Sequence, residues 1–230
     1  MLGVEDIHTY YGESHILQGV SFGVRAGQVV GLLGRNGMGK TTLVRSIIGF
    51  TPPRRGRILF RDEDVTGRRS YRIARLGMSL VPQGRQIFPS LSVLENLTVG
   101  MRPDAGGWSL ERVFEFFPPL KERAGHPGNR LSGGEQQMLA IGRSLMTNPS
   151  LILMDEPTEG LSPLYVQAVG QVIRKLQAAG IAILLVEQNL RFALRYTDHI
   201  HILSKGLIVH SSPPGDLASS PELKSRYLGV

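Results

Sequence analysis

The residues best suited to chemistry form one stretch, Gly34-Arg35-Asn36-Gly37-Met38-Gly39-Lys40-Thr41-Thr42. Three glycines, a lysine and two hydroxyls at this spacing make a cradle for the phosphates of a nucleotide. The glycines let backbone N–H groups turn inward, and a helix starting at the lysine aims its positive end at the same point. Lys40 is expected to reach the β and γ phosphates, Thr41 to place its hydroxyl on Mg²⁺, and Thr42 to add a further hydrogen bond.

A second chemical group lies at Leu151-Ile152-Leu153-Met154-Asp155-Glu156, an apolar run ending in two acids. Side chains alternate along a strand, so the two carboxylates are expected to divide the work. Asp155 would hold Mg²⁺ through water and Glu156 would polarise an attacking water as general base. A third group, Leu131-Ser132-Gly133-Gly134-Glu135, introduces a helix. Ser132 can cap it, and the freed N–H groups make a second anion-binding terminus. Gln83, after Met78-Ser79-Leu80-Val81, is delivered to the carboxyl edge of a sheet, where ligands of open α/β sheets bind.

These groups need elements to hold them. Val29 to Leu33 and Leu43 to Ile48 supply the strand and helix around the cradle. Short alternating runs at Val4 to Ile7, His15 to Leu17 and Val20 to Val24 predict antiparallel strands ahead of it, with Tyr10-Tyr11-Gly12 as a turn. Helical periodicity replaces strand character in Val93 to Leu97, Leu110 to Phe117 and Gln136 to Leu145, punctuated by Pro103 and Gly106-Gly107. The fold class is therefore α/β, as a single domain over 1–230. Residues 1–84 and 147–230 form the core with its β-subdomain, and 85–146 a helical insert. Further strands are expected at Ile181 to Val186, followed by Glu187-Gln188-Asn189, and in a terminal hairpin of His199 to Leu203 with Leu207 to Val209. His199 and His201 share a strand face, and surface positions suit them better than metal ligation.

Composition narrows the function. The 230 residues carry no cysteine, which excludes a disulfide framework and agrees with a reducing compartment. No secretory signal starts the chain, and no apolar run approaches the ~20 residues that span a bilayer. The net charge of +7 allows contact with anionic lipid or nucleic acid. The densest arginines, 54, 55, 57, 68, 69, 72 and 75, lack an interleaved aromatic platform beyond Phe60 and Tyr71, so a solvated face is expected and no nucleic-acid partner.

Together the motifs resemble the ABC-type ATPases, P-loop NTPases that serve as nucleotide-binding subunits of membrane transporters. The likeness covers essentially the whole chain, and Leu131 to Gln137 matches the signature that separates this family from other P-loop proteins. Tyr11-Gly12, Leu33 to Thr42, Val81 to Arg85, Met154 to Thr158 and Leu185 to Asn189 are similar to an importer branch for branched-chain and related hydrophobic amino acids or amides. The resemblance implies ATP and Mg²⁺ as cofactors, with Tyr11 stacking on adenine and Gln83 sensing Mg²⁺ and the membrane partner. Ser132 and Gly134 would donate to a γ-phosphate held by a second ATPase subunit. It implies transmembrane permease subunits, an indirect substrate-binding protein, and a peripheral position on the cytoplasmic face of the membrane. Two positions depart from the common pattern. Gln188 replaces the usual switch histidine, and Pro163 stands where aspartate is common.

Overall fold

The computed structural model describes residues 1–102 and 107–229. The expected breaks at Pro103 and Gly106 lie outside the described residues. Two sheets form, and their burial patterns follow from what covers them. The first is antiparallel in the order β2-β1-β4-β5, with β1 Leu2–Tyr11, β2 Ser14–Val24, β4 Arg55–Phe60 and β5 Glu63–Asp64. One face is buried and the other wet, so Leu2, Val4 and Ile7 are buried on β1 while Glu5 and Asp6 are exposed.

Three strand segments were expected here and two strands are found. The 15–17 and 20–24 runs belong to one strand, because the antiparallel pairing continues through register shifts, between Val4 and Ile7 on β1 and at Gly19 and Ile16 on β2. Asp6 carries a φ of 47° within the first of these shifts. Tyr10 and Tyr11 complete β1, and the turn is made by Gly12 and Glu13.

The second sheet has the order β10-β9-β3-β8-β7-β6, comprising β3 Val29–Leu33, β6 Met78–Val81, β7 Leu151–Asp155, β8 Ala182–Glu187, β9 His199–Ser204 and β10 Leu207–Ser212. All neighbours are parallel except the β9–β10 hairpin. Helices cover one face, and the helix after the glycine loop together with the first sheet covers the other, so every residue of β3, β7 and β8 is buried and the strands read as unbroken apolar runs.

Between β6 and β7 the described chain is helical, with α3 Val93–Thr98, α4 Leu110–Phe116, α5 Pro118–Glu122 and α6 Gly133–Leu145; α1 Lys40–Ile47 and α2 Ser70–Arg75 precede them. α7 Pro163–Ala178 and α8 Leu190–Tyr196 follow, and α9 Pro214–Ala218 and α10 Pro221–Leu223 close the fold. One core cluster joins Leu97, Val113, Leu139 and Ile141 of this helical stretch to Ile152, Ile183 and Leu185 of the sheet. The other face of the sheet packs Leu32, Leu153 and Leu184 against Leu43, Val20 and Ile58. No helix among the described residues is long and apolar enough to cross a membrane.

The expectation of surface histidines fails at His201. Its side chain is buried beside Phe22, with ring centroids 5.4 Å apart, and its Nδ1 has no partner. Burial, and then the nearby His199, push its pKa down to about 4. The depressed value stabilises the neutral fold above the ordinary pKa of about 6.5, and that stability is lost as pH falls from 6.5 towards 4. Linkage gives a loss of about 2 kcal/mol by pH 5. Thermal melts at pH 7 and pH 5 should show a larger acid-induced drop for the native chain than for His201→Leu. Equal drops would show that His201 is protonated without penalty.

Candidate nucleotide-binding site

Four neighbouring strands, β3, β8, β7 and β6, end side by side and deliver the chemical groups to one sheet edge. β3 leads into the glycine loop, where Gly37 and Gly39 adopt φ of 78° and 102°. These left-handed values suit glycine. Gly34 is required for another reason: a Cβ there would lie 2.4 Å from the Leu203 carbonyl oxygen. The back of the loop is held by the β9–β10 turn, with Gly206 N–H donating to the Met38 carbonyl at 3.1 Å and the Lys205 nitrogen 3.3 Å from the Met38 sulfur.

In front of the loop lies a cleft of about 360 Å³, lined by Ile16, Asn36, Gly37, Gly39, Lys40, Thr41, Thr42, Gln83 and Glu156. That volume falls in the range of small-molecule sites. Lys40 is buried and donates to the carbonyls of Gly34 at 2.8 Å and Arg35 at 3.1 Å. Its Nζ also lies 3.2 Å from Glu156 Oε1, so a buried cation and a buried carboxylate face each other across the cleft.

The two acids do not simply alternate. Asp155 ends β7, but Glu156 has a φ of 50°, a left-handed turn that costs a non-glycine residue about 1–2 kcal/mol. Alternation holds only while the strand lasts, and this turn brings both acids to the glycine loop. Thr41 and Asp155 line one groove together, whereas Glu156 takes the Lys40 contact. Hydrogen bonds from Glu156 N–H to the Val186 carbonyl, at 2.9 Å, and from Glu159 N–H to the Glu156 carbonyl, at 3.1 Å, hold the turn.

Burial raises the Asp155 pKa to about 6, with the Thr41 hydrogen bond opposing and the neighbouring Glu156 charge adding to the rise. Asp155 Oδ1 is buried without a partner. An orphaned carboxylate oxygen beside a threonine hydroxyl is an oxygen donor set that suits Mg²⁺.

Glu156 is further engaged by two amides. Gln188 Nε2 donates to Oε1 at 2.7 Å, and Gln83 Nε2 lies 3.3 Å from Oε2. Gln83 also donates to Glu159 Oε2 at 3.0 Å. Lys40, Thr41, Asp155, Glu156, Gln83 and Gln188 therefore converge.

Other candidates stay apart. Tyr11 is 44% exposed at the end of the β1–β2 hairpin, and Ile16 lines the cleft instead. None of Ser132, Gly133, Gly134 and Glu135 lines it either. These four form the first turn of α6 as a capping box, in which Glu135 N–H donates to Ser132 Oγ at 3.3 Å and Ser132 N–H to Glu135 Oε2 at 2.8 Å.

Gly134 has a steric reason that its sequence context does not show. A Cβ there would lie 2.1 Å from the Tyr165 ring at the start of α7. Gly134→Ala should therefore lower stability by about 1–3 kcal/mol, as overpacking does. Thermal melts check this, and adding Tyr165→Ala to the same chain should recover part of the loss.

Two acids were missed. Glu159 carries no local signal. Glu187 does, because a carboxylate closing the apolar run of β8 must find donors if it is buried. It is 2% exposed and accepts four hydrogen bonds, from Thr158 N–H and hydroxyl and from the N–H groups of Gln188 and Asn189. Burial pushes its pKa up while these donors oppose the rise.

Residues 17–159 match the family model described as ABC transporter. The chain is 40% identical to the high-affinity branched-chain amino acid transport ATP-binding protein BraG of Pseudomonas aeruginosa, with 100% of both chains covered. It is 32% identical to the lipopolysaccharide export system ATP-binding protein LptB of Escherichia coli K12, over 99% of this chain and 97% of LptB. Among solved structures it superposes with a TM-score of 0.80 on a dimeric ATP-binding cassette in a post-hydrolysis state bound to ADP and Pi, at 25% identity over 93% of this chain and 99% of that one. The chain belongs to the ABC transporter family, as an ATP-binding subunit that hydrolyses ATP.

Proposed function

We propose that the chain energises import of branched-chain amino acids or related hydrophobic amino acids or amides. The observation that carries this reading is the end-to-end identity of 40% with BraG, against 32% with LptB of an export system. In the proposed site, Tyr11 stacks on adenine, and Gly34, Arg35, Asn36, Gly37, Met38 and Gly39 wrap the phosphates. Lys40 leaves its two carbonyl partners for the β and γ phosphates, and Thr42 adds a hydrogen bond. Thr41 and Asp155, with Gln83 alongside, would hold Mg²⁺, which neutralises phosphate charge when bound. Glu156 takes a proton from the attacking water while Gln188 fixes its carboxylate.

Ser132, Gly133, Gly134 and Glu135 act on the nucleotide of a second ATPase subunit, and the cleft's lack of any signature residue supports that division. Residues 85–146 form the helical subdomain of a single domain. The neighbouring groove, lined by Arg45, Phe50, Pro82, Gln83 and Gln86, faces the permease subunits at the cytoplasmic side of the membrane. A substrate-binding protein acts only through them.

Copurification identifies these partners. Two polytopic subunits, and ATPase activity stimulated by a loaded binding protein for branched-chain amino acids in proteoliposomes, are the expected result; stimulation by a lipopolysaccharide carrier alone would favour export. Gln188→His should keep turnover within a few fold of the native rate, because an imidazole N–H can also donate to Glu156. Complete loss in a steady-state ATPase assay would show that the amide has a role imidazole cannot fill.

A further inference from the structure

We propose that Glu187 is a positioning residue that ties the general-base turn to the switch glutamine, so that Glu156 and Gln188 keep one register during turnover. The proposal rests on the reading of Glu156 as general base. Glu187 touches neither the cleft lining nor the glycine loop in any hydrogen bond.

Its two oxygens serve two different loops. Oε1 accepts from Thr158 N–H at 3.2 Å and from the Thr158 hydroxyl at 2.7 Å, two residues beyond Glu156. Oε2 accepts from Gln188 N–H at 3.1 Å and Asn189 N–H at 3.2 Å. Thr158 is itself buried, so both of its donors depend on this carboxylate. Between the two loops lies the 2.7 Å bond from Gln188 Nε2 to Glu156 Oε1. The left-handed backbone at Glu156 needs such restraint on its far side, because the turn is not favoured by the residue alone.

Only a carboxylate satisfies this arrangement. Four donors converge as two pairs, and glutamine offers a single acceptor oxygen. Its NH₂ group would oppose either the Thr158 pair or the two backbone N–H groups, and one loop would be released. A misplacement of about 1 Å at a reacting group costs roughly 10²-fold in rate.

The test uses the purified full-length chain, with ATPase rates at saturating protein, equilibrium binding of a fluorescent ATP analogue, and thermal melts. Glu187→Gln should lower kcat by about 10²-fold while analogue affinity changes by less than about twofold, since the glycine loop is untouched. Glu187→Asp, which keeps both acceptors on a shorter stem, should recover part of kcat. Thr158→Val removes one donor of the same shape and should lower kcat with affinity kept. Combined with Glu187→Gln it should add little, as coupled residues do.

Native kcat in Glu187→Gln beside an inactive Glu156→Gln overturns the positioning role and leaves the general base standing. Equal losses of analogue affinity and kcat in both Glu187→Gln and Thr158→Val would show a merely structural carboxylate, and also overturn it. Native turnover in Glu156→Gln would instead remove the general base on which the proposal depends.

Discussion

Glu156→Gln should bind ATP with near-native affinity, lose turnover by about 10²–10⁴-fold, and accumulate as an ATP-bound dimer. The amide is close in size to the carboxylate and can still accept from Gln188, so the 2.7 Å contact need not break. What it loses is the ability to take a proton. Nucleotide affinity is preserved because the cradle donors lie on the glycine loop and α1, and the negative charge removed stood 3.2 Å from the lysine that must meet phosphate. Steady-state ATPase assays with gel filtration in ATP check both halves. Undiminished hydrolysis would remove Glu156 from the general-base role, and a monomer at saturating ATP would mean that closure needs more than nucleotide.

Lys40→Met should reduce ATP affinity by about 10²-fold or more and also destabilise the nucleotide-free protein. In the proposed site Lys40 is a buried ammonium that would exchange two loop carbonyls for phosphate oxygens. Its removal leaves Glu156 buried without its cation, beside the equally buried Asp155. Breaking one side of a buried pair costs about 3–5 kcal/mol, largely from the charge left behind. Thermal melts therefore carry a specific expectation: Lys40→Met combined with Glu156→Gln should be more stable than Lys40→Met alone. Equal melting temperatures would mean that the 3.2 Å contact holds little energy in the absence of nucleotide.

The parts legible in the sequence are those in which local spacing determines geometry. Gly34 to Thr42 needed only its glycines and flanking apolar runs, and Asp155 only a strand in front of it. The Glu156 turn was not legible, since alternation describes a strand and gives no conformation to the residue after it. The packing of Gly134 was not legible either, since Tyr165 lies on another helix and meets it only after folding. His201 failed for a related reason: its burial depends on β2 bringing Phe22 across from the other sheet. Glu187 left a trace in the apolar run of β8, but the identity of its four donors required the loops that follow β7 and β8.

The attachment of Met38 to the β9–β10 turn has a calorimetric consequence. A loop already pinned from behind, with its lysine already out of water, has little ordering left to do when nucleotide arrives. Titration of ATP into monomeric chain should accordingly show a small heat-capacity change, with a large negative one appearing only as two subunits bury their facing surfaces.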